Sequence, residues 1–162
     1  MKKPISGKSI IYLLQIPGEE TLLPAYQTEG SWNREKELID EQTKSGRIVG
    51  SGTNSETIEL TFYAGQDDEG QEAIERAYDE DLEVKIWRVD TKLNATNKHN
   101  ARFAMAIIES MELSDPTEGF VEGTVSFPVL GQSVKGELDP LPAGLIEAAS
   151  AYAFEQAFPT AP

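Results

Sequence analysis

The chain has 162 residues, of which 28 are Asp or Glu and 14 are Lys or Arg, and its formal net charge is -14. This length fits one domain with its own core, and the charge excludes binding to nucleic acid or membranes through a general positive surface. The chain has no cysteine, which excludes disulfides, thiolate metal sites and thiol redox chemistry.

The first third of the chain predicts two strands and a long connection. Residues 8–16 are rich in β-branched and aromatic side chains and end at a Pro-Gly turn signal, so they predict a strand. Residues 28–40 predict a second strand. Residues 41–55 are rich in Gly and Ser and poor in bulky apolar side chains, and they predict a long flexible loop or a hairpin tip.

A strand-helix-strand unit follows. In residues 56–63 every second side chain is apolar, from Ile58 to Phe62, which is typical of a half-buried strand. Residues 67–80 begin with acidic side chains suited to a helix N-terminus and continue with an apolar stripe, so they predict an amphipathic helix. Residues 82–89 predict the next strand.

The second half of the chain predicts more strands and a terminal helix. Residues 91–100 are polar and predict a loop, and 102–113 predict a longer strand. Residues 117–127 alternate again, and 128–138 extend the same sheet. An Ala-rich segment with apolar side chains at helical spacing predicts a C-terminal helix over 141–158.

These elements predict a mainly β fold with α-helices. Seven or so short strands, separated by turn signals, are typical of a sandwich or a barrel. No internal repeat and no linker divides the sequence, so a single domain is predicted over 1–162.

Signals for chemistry are weak throughout. His99 is the sole histidine, so a site with several His ligands is excluded within one chain. The glycines at 50–52 lack the Lys and Ser or Thr of a phosphate loop, and the acids at 67–70 lack the spacing of a calcium loop. Carboxylate pairs of the glycosidase kind remain open, because their geometry is three-dimensional. The sequence therefore predicts no catalytic residue, no cofactor and no metal.

A resemblance to a known family lies in the strand-helix-strand unit 56–89, whose sequence is ETIELTFYAGQDDEGQEAIERAYDEDLEVKIWRV. This unit resembles the major tail proteins of lactococcal and staphylococcal siphophages, in which a helix of the pattern DDEGQxAIExAY precedes a strand similar to VKIWRV. Further similarity lies at 7–15, in the pattern GKxIxYLxQ, and at 106–131, in the pattern AxxESMExSxPTEGxVEGTVSFPVLG. The resemblance extends over about residues 7–155.

The resemblance implies a structural subunit of a phage tail tube. It implies a β-sandwich flanked by a helix, with six subunits in a ring and rings stacked into a hollow tube. One sheet of each subunit joins its neighbours in a continuous inner barrel, through which phage DNA passes without specific binding. The implied partners are further copies of the chain, the tape-measure protein, the tail terminator and the tail-tip proteins. Assembly takes place in the host cytoplasm, the product resides in the virion tail, and no membrane is involved.

Two groups of residues are candidates for these roles. A lumen that carries DNA should repel phosphate, so acidic side chains on polar strand faces are the lumen candidates: Glu59, Glu109, Glu112, Glu118 and Glu122. Contacts between rings are expected from the segment 41–55, where these residues include its apolar pair: Lys44, Arg47, Ile48 and Val49.

Other functions remain open at this point. A tail terminator or a secretion-tube protein would share the architecture. A ligand-binding or carbohydrate-binding β-sandwich, such as a phage decoration protein, would form a monomer or a small oligomer instead. An enzyme is a third alternative, although the sequence offers few acid, base or nucleophile candidates.

Overall fold

A computed structural model describes residues 2–142, whose strands form two layers that share one long strand. The elements follow in the order 3-10 turn Gly7–Ser9, β1 Ile10–Gln15, β2 Gln27–Thr43, β3 Gly46–Tyr63, α1 Glu69–Asp79, β4 Val84–Leu93, β5 His99–Ala106, β6 Ser110–Ser114 and β7 Glu122–Leu138. The mainly β fold with a flanking helix is confirmed. Of the helix predicted at 141–158, all but the first two residues lie outside the described part.

The shared strand is β7, and every strand pair is antiparallel. The first layer has the order β2-β3-β7-β6, and the second has the order β1-β4-β5-β7. Residues 122–128 of β7 pair with β3, whereas residues 129–138 pair with β5. The sheet therefore turns a corner in the middle of β7.

A bulge in β7 forms this corner. Phe103 pairs with Val134 and Met105 pairs with Leu130, so β7 carries extra residues between the two pairs. Gly131 has φ 74°, a left-handed conformation that glycine adopts without steric cost. A bulge bends its strand and redirects a side chain, and here Ser133 is buried, 6% exposed, in the protein interior.

The main core fills the space between the two layers and α1. Its members come from β1 and the residue after it, from β3, β4, β5 and β7, and from the helix: Tyr12, Leu14, Ile16, Ile58, Leu60, Phe62, Ala73, Ile74, Ala77, Val84, Ile86, Ala104, Ala106, Val125 and Phe127. The apolar face predicted for residues 56–63 is thus confirmed. A smaller cluster on the opposite face of β1 and β4 contains Ile11, Leu13 and Val89.

Helix α1 begins where the acidic residues predict it. The Asp68 carboxylate accepts a hydrogen bond of 2.9 Å from the Gln71 N–H, which caps the first turn. The Gln71 side chain in turn donates to Ala25 O and Tyr63 O, at 3.0 and 2.9 Å. These bonds fasten the start of the helix to the segment before β2 and to the last residue of β3.

Of the two structures predicted for 41–55, the hairpin tip is confirmed and the long flexible loop is wrong. Strands β2 and β3 form one long hairpin that pairs from Gln27↔Phe62 to Thr43↔Gly46, with Lys44 and Ser45 in the turn. The outer part of this hairpin is a two-stranded ribbon with solvent on both faces. It therefore lacks the apolar alternation that marks a half-buried strand.

The strand predicted at 102–113 is two strands, because the chain crosses the corner there. Strand β5 pairs with the second part of β7 and β6 with the first part. Between them, Ile107 N–H donates to Pro128 O at 3.2 Å and Glu109 N–H donates to Ser126 O at 3.0 Å. The loop predicted at 91–100 is shorter than expected, since β4 extends to Leu93 and β5 begins at His99.

The free edge of β1 is blocked by side-chain and main-chain bonds. The Gln27 amide donates to Tyr12 O at 2.9 Å and accepts from Tyr12 N–H at 3.1 Å. Leu22 exchanges two backbone hydrogen bonds with Leu14, of 2.8 and 2.9 Å. By contrast, β2 pairs only with β3 and β6 pairs only with β7 within residues 2–142. The first layer therefore has an open edge on each side.

We expect Gly70→Ala to lower the free energy of unfolding. Gly70 lies in the first turn of α1, where an added Cβ would be 2.7 Å from the Cα and N atoms of Pro24. This overlap with backbone should cost about 1–3 kcal/mol, more than the ~1 kcal/mol that alanine gains over glycine in a helix. Urea unfolding measures the difference.

The control for this prediction is Gly136→Ala, because nothing lies within 4 Å of a Cβ at that position. We expect the control to leave stability unchanged or to raise it by up to about 1 kcal/mol, because alanine in a strand costs less conformational entropy than glycine. A Gly70→Ala variant as stable as the parent would show that Pro24 does not fix the helix position.

Candidate assembly and lumen surfaces

The outward face of the first layer, called the front face, is polar. Cross-strand partners lie on the same side of a sheet, so Glu59 shares the front face with Ser31 and Ser126. The next row along the strands joins Thr61 to Thr124, whose hydroxyl oxygens are 3.4 Å apart. The opposite face of the same strands carries the apolar side chains of the core.

Charge is sorted between the two faces of the first layer. By cross-strand pairing, the front face carries these acids: Glu29, Glu35, Glu41, Glu59, Glu112 and Glu122. Among the described residues of β2, β3, β6 and β7, no Lys or Arg lies on this face. In β2 the cations Arg34 and Lys36 occupy the alternate positions and lie on the back face.

The front face brings together three of the predicted lumen residues. Glu59, Glu112 and Glu122 lie on three neighbouring strands, and all are exposed. Glu109 lies instead in the crossing between β5 and β6, and Glu118 lies in the loop before β7; both are exposed. Glu29 also lies on the front face but was not among the predicted lumen residues, although alternation within the predicted strand 28–40 puts it on the side opposite to Trp32.

The predicted stacking residues lie at the end of the β2–β3 hairpin. Lys44 is in the turn, and Ile48 and Val49 are 59% and 51% exposed. Arg47 forms a two-pronged ion pair with Asp40, with N–O distances of 2.6 and 2.7 Å. This contact lowers the pKa of Asp40 below its usual value and raises the pKa of Arg47.

Two further apolar side chains at the hairpin end were missed as candidates. Leu38 and Ile39 are 68% and 52% exposed. They belong to the strand predicted at 28–40, for which no interface role was predicted. The pairing Leu38↔Ser51 places them in the solvent-exposed ribbon.

Where the hairpin joins the body, a fully buried carboxylate holds β3 to the bulge of β7. Glu56 Oε2 accepts from the Ser133 N–H at 2.8 Å, and Oε1 accepts from the Ser133 hydroxyl at 2.5 Å. Arg34 Nε and Trp32 Nε1 both lie 3.0 Å from Oε1. Arg102 donates to the Ser133 hydroxyl at 2.7 Å. We call these five residues the Glu56 cluster.

The remaining candidates for chemistry have structural roles. His99 is 1% exposed, and its Nδ1 is 3.0 Å from Asp90 O. Across residues 2–142, no group of three or more His, Asp or Glu side chains is placed to hold a metal ion. No helix in that range is both long and apolar enough to span a bilayer.

Comparison with known proteins connects these surfaces to a family. The sequence profile described as phage tail tube protein matches residues 4–135. The chain belongs to the phage tail tube protein family. Tail tube protein gp17.1* of Bacillus phage SPP1 is 45% identical over 158 residues, which cover 94% of this chain. The chain spans about 60% of the length of that curated relative.

Solved structures of tail tubes share the fold. The SPP1 tail tube, determined by solid-state NMR and cryo-EM, matches with a TM-score of 0.80 and 39% identity, over 98% of this chain and 95% of that chain. The tail of a gene transfer agent particle matches with a TM-score of 0.66 over 80% of this chain and 96% of that chain. At 13% identity the second likeness shows the tail tube fold alone.

In this member of the tail tube family, hydrogen bonding keeps Glu56 ionised despite its burial. Burial by itself raises the pKa of Glu56. The Ser133 N–H and hydroxyl, the Trp32 indole and the charge of Arg34 outweigh burial, so the net pKa is lower than usual. A buried charge that is paired and hydrogen-bonded in this way is costly to disrupt from one side.

We expect Glu56→Gln to destabilise the fold at neutral pH, toward the lower end of roughly 3–5 kcal/mol. The variant leaves Arg34 without its partner, but Arg34 is 43% exposed and keeps part of its hydration. Because the pKa of Glu56 is lowered, its contribution is complete above the unfolded carboxyl pKa of about 4.3 and is lost as pH falls through the folded value. Urea unfolding from pH 7 to pH 3 measures both effects.

The matched control is Glu59→Gln, on the same strand but exposed on the front face. We expect it to change stability by less than about 0.5 kcal/mol at pH 7. The stability gap between the parent and Glu56→Gln should narrow as the pH falls. A gap that stays constant to pH 3 would contradict the role of the ionised carboxylate.

Proposed function

We propose that the chain is a structural subunit of a phage tail tube, in which copies form stacked rings around a bore, and that it catalyses no reaction. The observation that carries this proposal is the first layer, which combines two open edges with an acidic front face free of cations. Family membership and the 45% identity to the SPP1 tail tube protein support it.

Ring closure follows from the open edges. An unpaired strand edge presents free N–H and C=O groups to any strand that approaches. Pairing β2 of one subunit with β6 of the next would join the first layers into a closed barrel, which removes both open edges of that layer. The blocked edge of β1 leaves the second layer outside this barrel. Six subunits per ring are expected from the family resemblance, and a tail with the same fold has six-fold symmetry.

The front face would then line the bore. Glu29, Glu59, Glu112 and Glu122 would be repeated in every subunit and would repel the phosphates of DNA. At physiological salt this repulsion extends about 8–10 Å from the wall. It acts on any sequence equally, so DNA would pass without specific binding.

The hairpin would connect successive rings. Its outer part projects from the body, is exposed on both faces and carries Lys44, Arg47, Ile48 and Val49. Exposed apolar side chains grouped in this way mark a protein interface. The Glu56 cluster would keep the base of the hairpin in a fixed direction.

Further partners follow from the same role. A tube of defined length requires a tape-measure protein in the bore and a terminator at its end, and the opposite end requires tail-tip proteins. We propose these as partners, with assembly in the host cytoplasm and the finished subunit in the virion tail.

Assembly of the purified protein tests the function. We expect it to form hollow tubes as its concentration rises, followed by light scattering and electron microscopy. A variant in which residues 37–53 are replaced by Asn-Gly should keep its core, because the buried side chains lie outside this range. Its circular dichroism spectrum and cooperative unfolding should persist, and its tubes should be lost.

Two outcomes of this experiment would count against the proposal. Parent protein that stays monomeric or stops at single rings at every concentration would reject the tube subunit and favour a terminator. Normal tubes from the truncated variant would reject the role of the hairpin in joining rings.

Cysteine accessibility tests the orientation of the front face. Since the chain has no natural cysteine, Glu59→Cys and Glu75→Cys each supply a single thiol, on the front face and on the exposed side of α1. In long tubes we expect a small maleimide to label both variants. A maleimide on a large polyethylene glycol should label only Glu75→Cys, because the bore excludes it.

Disassembled subunits provide the control, in which the large reagent should label both thiols equally. Equal labelling by the large reagent in intact tubes would place Glu59 on the outside and reject the lumen assignment.

A further inference from the structure

The end of the hairpin has two chemically different faces. Taking residues 38–51 as the hairpin tip, cross-strand pairing places Leu38, Asp40 and Val49 on the back face. Ile39 and Ile48 lie on the front face, where Ile48 pairs with Glu41. Each face of the tip thus carries its own pair of branched apolar side chains.

Neither apolar pair is covered by the body of the subunit. Leu38 and Val49 are 68% and 51% exposed, and Ile39 and Ile48 are 52% and 59% exposed. Nearly every residue of the tip is exposed, and the buried part of β3 starts only at Glu56. Apolar pairs that share no contact with a core are expected at interfaces.

One partner surface cannot cover both pairs. Side chains at adjacent positions of a strand point to opposite sides of the ribbon, so Leu38 and Ile39 face away from each other. A flat surface that receives the back face leaves the front face in water. To bury both apolar pairs, one surface must lie on each side of the ribbon. The arrangement resembles a sheet packed between two others, each about 10 Å away.

The charges on the two faces indicate that the two covering surfaces differ. The front face of the outer hairpin carries Glu35 and Glu41 and no cation. The back face carries Lys36 and the Asp40–Arg47 ion pair. The chain has a net charge of -14, so another copy presents many acidic regions. Such a region would be attracted to the back face and repelled by the front face.

We propose that the hairpin tip inserts between two different copies of this chain, one against Leu38 and Val49 and the other against Ile39 and Ile48. The inference rests on the proposed tube function, since it assigns the partners of the same hairpin. Each tip then binds two other subunits. Its four branched apolar side chains are all buried only when both of these subunits are present.

Photo-crosslinking within assembled tubes tests this inference. A tagged subunit carries benzoylphenylalanine in place of Leu38, of Ile39, or of both, and is mixed with a large excess of untagged parent before assembly. Dilution ensures that each tagged chain touches only parent chains. We expect either single replacement to yield tagged adducts of two chains. The double replacement should yield an additional adduct of three chains.

The matched control replaces Leu38 and Val49 together, which puts two crosslinkers on the same face. We expect this control to stop at two-chain adducts. Two results would overturn the two-partner inference: no three-chain adduct from the variant with both Leu38 and Ile39 replaced, or as much three-chain adduct from the control as from that variant. Either result would leave the tube function unaffected. Failure of the parent protein to form tubes at all would overturn the proposed function and this inference with it.

Discussion

The architecture depends on the contact between the Glu56 carboxylate and the bulge of β7 at Ser133. The contact occurs where one long strand leaves the first layer and enters the second, so it fixes the angle between the layers. A carboxylate without exposed surface must be paired and hydrogen-bonded, and that requirement draws Arg34 and Trp32 toward the same point. The first residues of the hairpin are thereby fixed relative to the core.

The two faces of the first layer have different roles: one face packs against the apolar core, and the other is exposed and acidic. The core needs apolar side chains at every second position of β3 and β7, and alternation then leaves the other positions free for polar groups. Those positions carry Glu59 and Glu122 without a neighbouring cation. Repulsion among them costs stability within a subunit and within a ring. The apolar core must offset that cost within a subunit, and in the proposed ring strand pairing across the open edges would offset the rest.

The sequence predicted secondary structure well where a strand or helix has one buried side, and it did not do so where both sides are exposed. Alternation from Ile58 to Phe62 and the acidic start of α1 predicted their elements closely, because a core contact and a helix cap leave local patterns. The outer hairpin has no buried side, so the sequence of 41–55 did not distinguish a flexible loop from a hairpin tip. The split of 102–113 depends on the corner in β7, a long-range feature without a local signal. Alternation within a strand is a local pattern, so it correctly grouped Glu59, Glu112 and Glu122 on one polar face. Glu109 and Glu118 lie outside the strands, and their positions depend on the path of the chain between β5, β6 and β7.

Gln27 has a consequence for the protein before it assembles. A β-rich chain with every edge exposed would aggregate without order. The Gln27 amide satisfies the main-chain groups of Tyr12 that point away from β4, as a neighbouring strand would. Strand addition at β1 is thereby prevented, so a free subunit has fewer edges at which it could associate in the wrong geometry.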